Sequence, residues 1–84
     1  MARFLIKPFE TEAVVFDAAS GDTHYLSPLA FKLLNTSQAQ PGMTYQDIPV
    51  ALASALNVEP DAYFTRLADE AICSLQRIGL LGPA

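Results

Sequence analysis

The apolar positions change their spacing at residue 27. Before it they fall in short β-branched and aromatic runs, the kind that suits a pleated, half-buried surface. Arg3-Phe4-Leu5-Ile6-Lys7 reads as a first strand ended by Pro8, with Phe9 to Thr11 as the link to the next. Val14 to Phe16 form a second strand, and Asp17 to Asp22 supply turn chemistry centred on Ser20-Gly21-Asp22. Thr23-His24-Tyr25-Leu26 return as a third strand. Ser27 then stands where a helix N-cap belongs, with Pro28 in the first helical position, where a missing N–H costs nothing.

After residue 27 the spacing is helical. Leu29, Leu33 and Leu34 give a first helix its apolar side, ending near Asn35-Thr36, and Ser37 to Gly42 read as a loop. For the second helix, Asp47 as N-cap keeps Pro49 in the tolerated first turn. Ile48, Ala51, Leu52, Ala55 and Leu56 then share a face, and Asn57 closes the helix. In the third helix, Pro60 and Asp61 suit the first turn, and Gly79 is the expected residue just past the end. Its stripe is Phe64, Leu67, Ala68, Ala71, Ile72, Leu75 and Ile78. The expected fold class is α+β: a short N-terminal antiparallel three-stranded sheet packed on a three-helix, winged-helix-turn-helix-like bundle.

At 84 residues the chain is expected to be one domain, 1–84, with one core, and 51% hydrophobic residues predict a packed globule. No run approaches the ~18 apolar residues of a membrane helix. The N-terminus is charged again at Lys7, unlike a signal peptide, so a cytoplasmic location is expected. Cys73 is the only cysteine, which excludes an internal disulfide and a multi-cysteine metal site. No metal, cofactor or membrane partner is expected.

The residues argue against catalysis. His24, the one histidine, has no acid or nucleophile tied to it by spacing, and reads first as a strand residue. Cys73 falls on the polar side of the third helix with Arg66, Asp69, Gln76 and Arg77, away from any helix start, and reads as an inert, partly exposed thiol. Ser20-Gly21-Asp22 is too short for a phosphate loop and is better explained as a turn. DNA binding through the third helix is disfavoured by charge: Glu59, Asp61, Asp69 and Glu70 stand against Arg66 and Arg77 in a chain of net charge −4. The end at Ala84 also leaves no room for a wing hairpin. No nucleic-acid partner is expected.

What remains is a sheet edge, a template on which another strand can form. Here the sequence resembles a known family. The pattern Val14-Val15-Phe16-Asp17, Ser20-Gly21-Asp22-Thr23-His24, Leu26-Ser27-Pro28-Leu29-Ala30, with the closing Gly79-Leu80-Leu81, is similar to the PqqD-like peptide chaperones, or RiPP recognition elements. Within them it resembles the branch named for association with an HPr-kinase-related protein. The resemblance covers most of the chain and implies a non-catalytic accessory protein of biosynthesis. Such a domain captures a precursor (leader) peptide as an added strand on the third strand and presents it to a modifying enzyme.

Carried over, the peptide-binding residues are Thr23, His24, Tyr25 and Leu26 on the strand. Tyr63, Leu67, Glu70 and Ser74 on the third helix join them, at i, i+4, i+7 and i+11 to one side of the core stripe. The opposite flank, with Thr65 and Ile72, stays open as an alternative. The implied partners are a precursor peptide and a modifying enzyme that is HPr-kinase-related or nucleotidyltransferase-like, with the domain itself a monomer or weak homodimer. The competing readings are a helix-turn-helix DNA-binding regulator and a protein–protein adaptor.

Overall fold

Strand β2 (Glu12–Asp17) is the middle of a three-stranded antiparallel sheet, with β1 (Phe4–Phe9) on one side and β3 (Thr23–Leu26) on the other. The fold, seen in a computed structural model, is described for residues 3–82. Register pairs Ile6 with Val15, Val15 with His24, and Ala13 with Leu26. Side chains alternate, so Ala13, Val15, Asp17 and Leu26 are buried on the inner face, while Val14, Phe16 and Tyr25 look outward. The first strand runs further than its proline suggests: Pro8 lies inside β1, opposite Ala13. It is tolerated because β1 is an edge strand, where a residue without an N–H need break no ladder bond.

Three helices follow: α1 (Pro28–Ala39), α2 (Ile48–Leu56) and α3 (Ala62–Ile78). The Ser27 hydroxyl accepts from the Ala30 N–H at 3.2 Å, which makes Ser27 the cap and Pro28 the first helical residue. Helix α1 continues through Ala39, beyond the Asn35-Thr36 end expected from its polar tail. Thr36 satisfies its hydroxyl on the Lys32 carbonyl at 2.8 Å, within the helix, so the polar run does not break it.

Helix α2 starts where Pro49 dictates, but Asp47 makes no side-chain cap bond. Ile48 and Leu52 of the expected face are buried and Ala51 half-buried, joined by Pro49 and Ala53, whereas Ala55 and Leu56, expected on the same face, are exposed. At the start of α2, residues 45–47 form a turn in which the Thr44 carbonyl accepts from both Asp47 and Ile48. Asn57 closes α2 in the left-handed region, at φ 59°.

Asp61 caps α3 by accepting from the Phe64 N–H at 2.8 Å. Gly79 ends it at φ 93°, and the Leu80 N–H reaches back to the Leu75 carbonyl at 2.9 Å. The core gathers Val15 from the sheet with Leu33, Leu34, Ile48, Leu52 and Leu75 from the helices, all fully buried. At about 1.5–3 kcal/mol for each large apolar side chain, these contacts are the main favourable term in folding.

Helix α1 is the hub of this packing. It touches β2, β3, α2 and α3, whereas no Cα of β3 lies within 8 Å of one in α3. Strand β3 and helix α3 are held to the same helix but not to each other. That arrangement opens a groove between them.

Candidate functional site

The hydrogen-bond phase of the sheet decides what β3 offers. The Ala18 N–H donates to the Arg3 carbonyl and the Asp17 N–H to the Asp22 carbonyl, both at 2.8 Å. On β2, therefore, Glu12, Val14 and Phe16 turn their main-chain groups to β1, and Ala13, Val15 and Asp17 turn theirs to β3. The partners of Ala13 and Val15 on β3 are Leu26 and His24. By alternation, Thr23 and Tyr25 direct their N–H and C=O groups away from the sheet, onto its free edge. The side chains of His24 and Leu26 point instead to the helix side, shared with Ala13 and Val15.

Facing that edge is one flank of α3. The groove between them has a cavity volume of about 570 Å³. Thr23 to Leu26 form its strand wall, Leu67, Glu70, Ala71, Ser74, Arg77 and Ile78 its helix wall, and Ser27, Leu29, Ala30 and Leu75 complete the lining. Seven of the eight residues expected for peptide contact thus border one groove: Thr23, His24, Tyr25, Leu26, Leu67, Glu70 and Ser74. Tyr63 does not. It stands exposed beyond the groove's end, with the Arg66 guanidinium 5.8 Å from its ring centre.

Arg77, placed on the polar side by helical angle, lines the groove as well. The signal was in the sequence: Arg77 is seven residues from Glu70, two turns along the same ridge. Thr65 and Ile72, on the other flank, are not among the lining residues, and Ile72 is buried. Ala71 and Ser74 lie between the two charges and are the small side chains of this wall.

A second contact fixes how the groove's walls run. The Arg3 guanidinium pairs with Asp17 at the end of β2, and it also lies 3.4 Å from where a Cβ on Gly79 would stand. The C-terminal end of α3 is therefore beside the β2–β3 turn, and α3 runs antiparallel to β3. Arg77 and Ile78 flank the Thr23 end, while Leu67 and Glu70 flank Leu26 and the start of α1.

Among the described residues no three His, Cys, Asp or Glu side chains gather as a metal site would require. On the outer face, the Tyr25 hydroxyl donates to Glu12 Oε2 at 3.0 Å, and that bond raises the phenol's pKa above its usual value. The Tyr25 ring is thereby tied to Glu12 on the outer face of the sheet. Among the described residues, no helix is long and apolar enough to cross a membrane.

No family model matches this chain, and no curated protein matches it. Among solved structures, the fold is similar to that of TbiB1 in complex with the TbiA(beta) leader peptide. The TM-score is 0.71, over 100% of this chain and 95% of that one, at 18% sequence identity. The two chains share a fold, with a three-stranded antiparallel sheet followed by three helices.

Proposed function

We propose that this chain is a peptide-binding domain of the RiPP recognition element kind, without catalytic activity of its own. It takes up an extended segment of a precursor peptide as a fourth strand on β3 and presents it to a modifying enzyme. The observation that carries this reading is the groove itself: a free strand edge and a helix flank, held apart by α1 and open along their length. Main-chain bonds from Thr23 and Tyr25 supply affinity, and His24, Leu26, Leu67, Glu70 and Ser74 supply selection. The similarity to a solved domain in complex with a leader peptide supports the same reading. Residues 1–84 act in it as a single unit, and the modifying enzyme belongs to the HPr-kinase-related or nucleotidyltransferase-like class that the sequence pattern implies.

The test is hydrogen exchange with and without the short precursor peptide encoded nearest the gene. Strand addition protects the Thr23 and Tyr25 amides on binding and leaves His24 and Leu26, already bonded to β2, unchanged. Binding that leaves Thr23 and Tyr25 as exchangeable as before excludes this mode.

A further inference from the structure

Resting on the strand-addition reading, we infer that the groove selects its peptide by charge order: a basic residue, a large apolar residue and an acidic residue at alternate positions, in that order from N to C. Among the described residues, neither Glu70 nor Arg77 has an ion-pair partner in the chain, since the ion pair present joins Arg3 and Asp17. Both line the groove, seven residues apart on α3, which places them about 10 Å apart along the helix axis. Between them the wall is made by Ala71 and Ser74, whose small side chains leave room opposite Leu26 and His24.

A strand presents every second side chain to one side, at about 6.6 Å intervals. Three successive groove-facing residues therefore cover about 13 Å. The outer two reach Glu70 and Arg77 with their side chains, and the middle one fills the space above Ala71 and Ser74. The direction follows from the topology. An antiparallel strand on β3 runs parallel to α3, so its N-terminal end meets Glu70 beside Leu26 and its C-terminal end meets Arg77 beside Thr23. A basic residue comes first and an acidic one last. The reversed order sets like charges against each other at both ends. Because both charges are exposed, they act on orientation and selectivity more than on affinity.

The experiment uses two synthetic peptide libraries of identical composition, each an extended decamer. One carries Lys-x-Φ-x-Asp at its centre and the other Asp-x-Φ-x-Lys, with Φ drawn from Val, Ile, Leu, Phe and Tyr. Each is titrated against the whole chain by fluorescence anisotropy. The Lys-first library is expected to bind roughly five- to tenfold tighter in low salt, with the gap closing at molar salt. A Glu70→Lys, Arg77→Glu double variant, folded by circular dichroism, reverses the preference. Equal binding of the two libraries, or a preference that the double variant leaves in place, overturns the charge order while strand addition stands. If neither library binds, both the charge order and the strand-addition reading fall.

Discussion

Arg3 holds Asp17 with two parallel bonds, Nε to Oδ1 and Nη2 to Oδ2, each 3.1 Å. Asp17 also accepts from the Ala19 N–H at 2.9 Å, so a carboxylate that the fold buries has its oxygens occupied. The same arginine lies over the Phe4 ring and against Gly79. One ion pair thus joins the start of the sheet, the β2–β3 turn and the end of α3.

The pair makes stability pH-dependent in a defined direction. The bonds from Arg3 draw the Asp17 pKa down from 3.8 to about 2. A group whose pKa is lower in the folded state contributes stability above its unfolded pKa and loses it as pH falls. Asp17→Asn is therefore expected to lower the urea midpoint near neutral pH. The gap between variant and parent should close as pH falls from about 4 to about 2. Parallel urea melts at pH 7 and pH 2.5 measure it; a constant gap would show that Asp17 is not ionised against Arg3.

Two leucines on α2 and one on α3 test the core. Leu52 and Leu75 are fully buried, and replacing either with alanine is expected to cost about 2–5 kcal/mol. Leu56, which simple helical spacing assigns to the same face, is 40% exposed, and Leu56→Ala should cost less than half as much. Denaturant midpoints of the three variants separate the two registers directly.

Gly79 stands at φ 93°, a conformation that costs an L-residue about 1–2 kcal/mol. Gly79→Ala is expected to destabilise by that amount, because the Arg3 guanidinium beside it sits at the far end of a flexible side chain and can move aside. Thermal melts with Arg3 intact and with Arg3→Ala distinguish the causes. Backbone strain persists in both backgrounds, whereas a clash with Arg3 disappears in the second.

Much of this was legible from residue types whose roles are local. Ser27-Pro28 states a helix start, Gly79 a helix end, and Thr23 to Leu26 a strand, because each depends on neighbours within a few positions. The misreadings came where tertiary context decides. Pro8 stays within a strand only because nothing pairs beyond β1. Leu56, the last residue of α2, is exposed although it stands one turn from the buried Leu52, because helical spacing does not show where the covering elements end. Helical angles placed Leu67, Glu70 and Ser74 on the flank that borders the groove. They could not say how far the groove extends along α3, which depends on where β3 lies beside it. That is why Tyr63 falls outside and Arg77 inside.

The charge of α3 bears on the competing reading. Its N-terminal turn and the residues leading to it carry Glu59 and Asp61, and a duplex would bring phosphates against them. The chain is expected not to retard duplex DNA at micromolar concentration even at low salt. A salt-dependent shift in a gel assay would restore the regulator reading.

The groove itself is tested by substitutions that separate its wall from its surroundings. Leu67 is half-buried at the Leu26 end of the groove, and Leu67→Glu places an unpaired charge where an incoming strand must pack. Binding of the precursor peptide should be abolished. Ser74→Trp fills the space between Glu70 and Arg77 from the same wall and should weaken binding at least tenfold. It leaves the net charge unchanged, which separates steric from electrostatic loss. Tyr63→Ala, one turn beyond the groove's end, should change binding less than about twofold, since a side chain outside the buried centre contributes little. Cys73 is exposed and does not line the groove, so Cys73→Ser serves as the control. Circular dichroism establishes that each variant folds, and titration calorimetry with the same peptide reads the affinity. If Tyr63→Ala loses binding while Leu67→Glu keeps it, the peptide lies along the N-terminal turn of α3 and not between β3 and the helix flank.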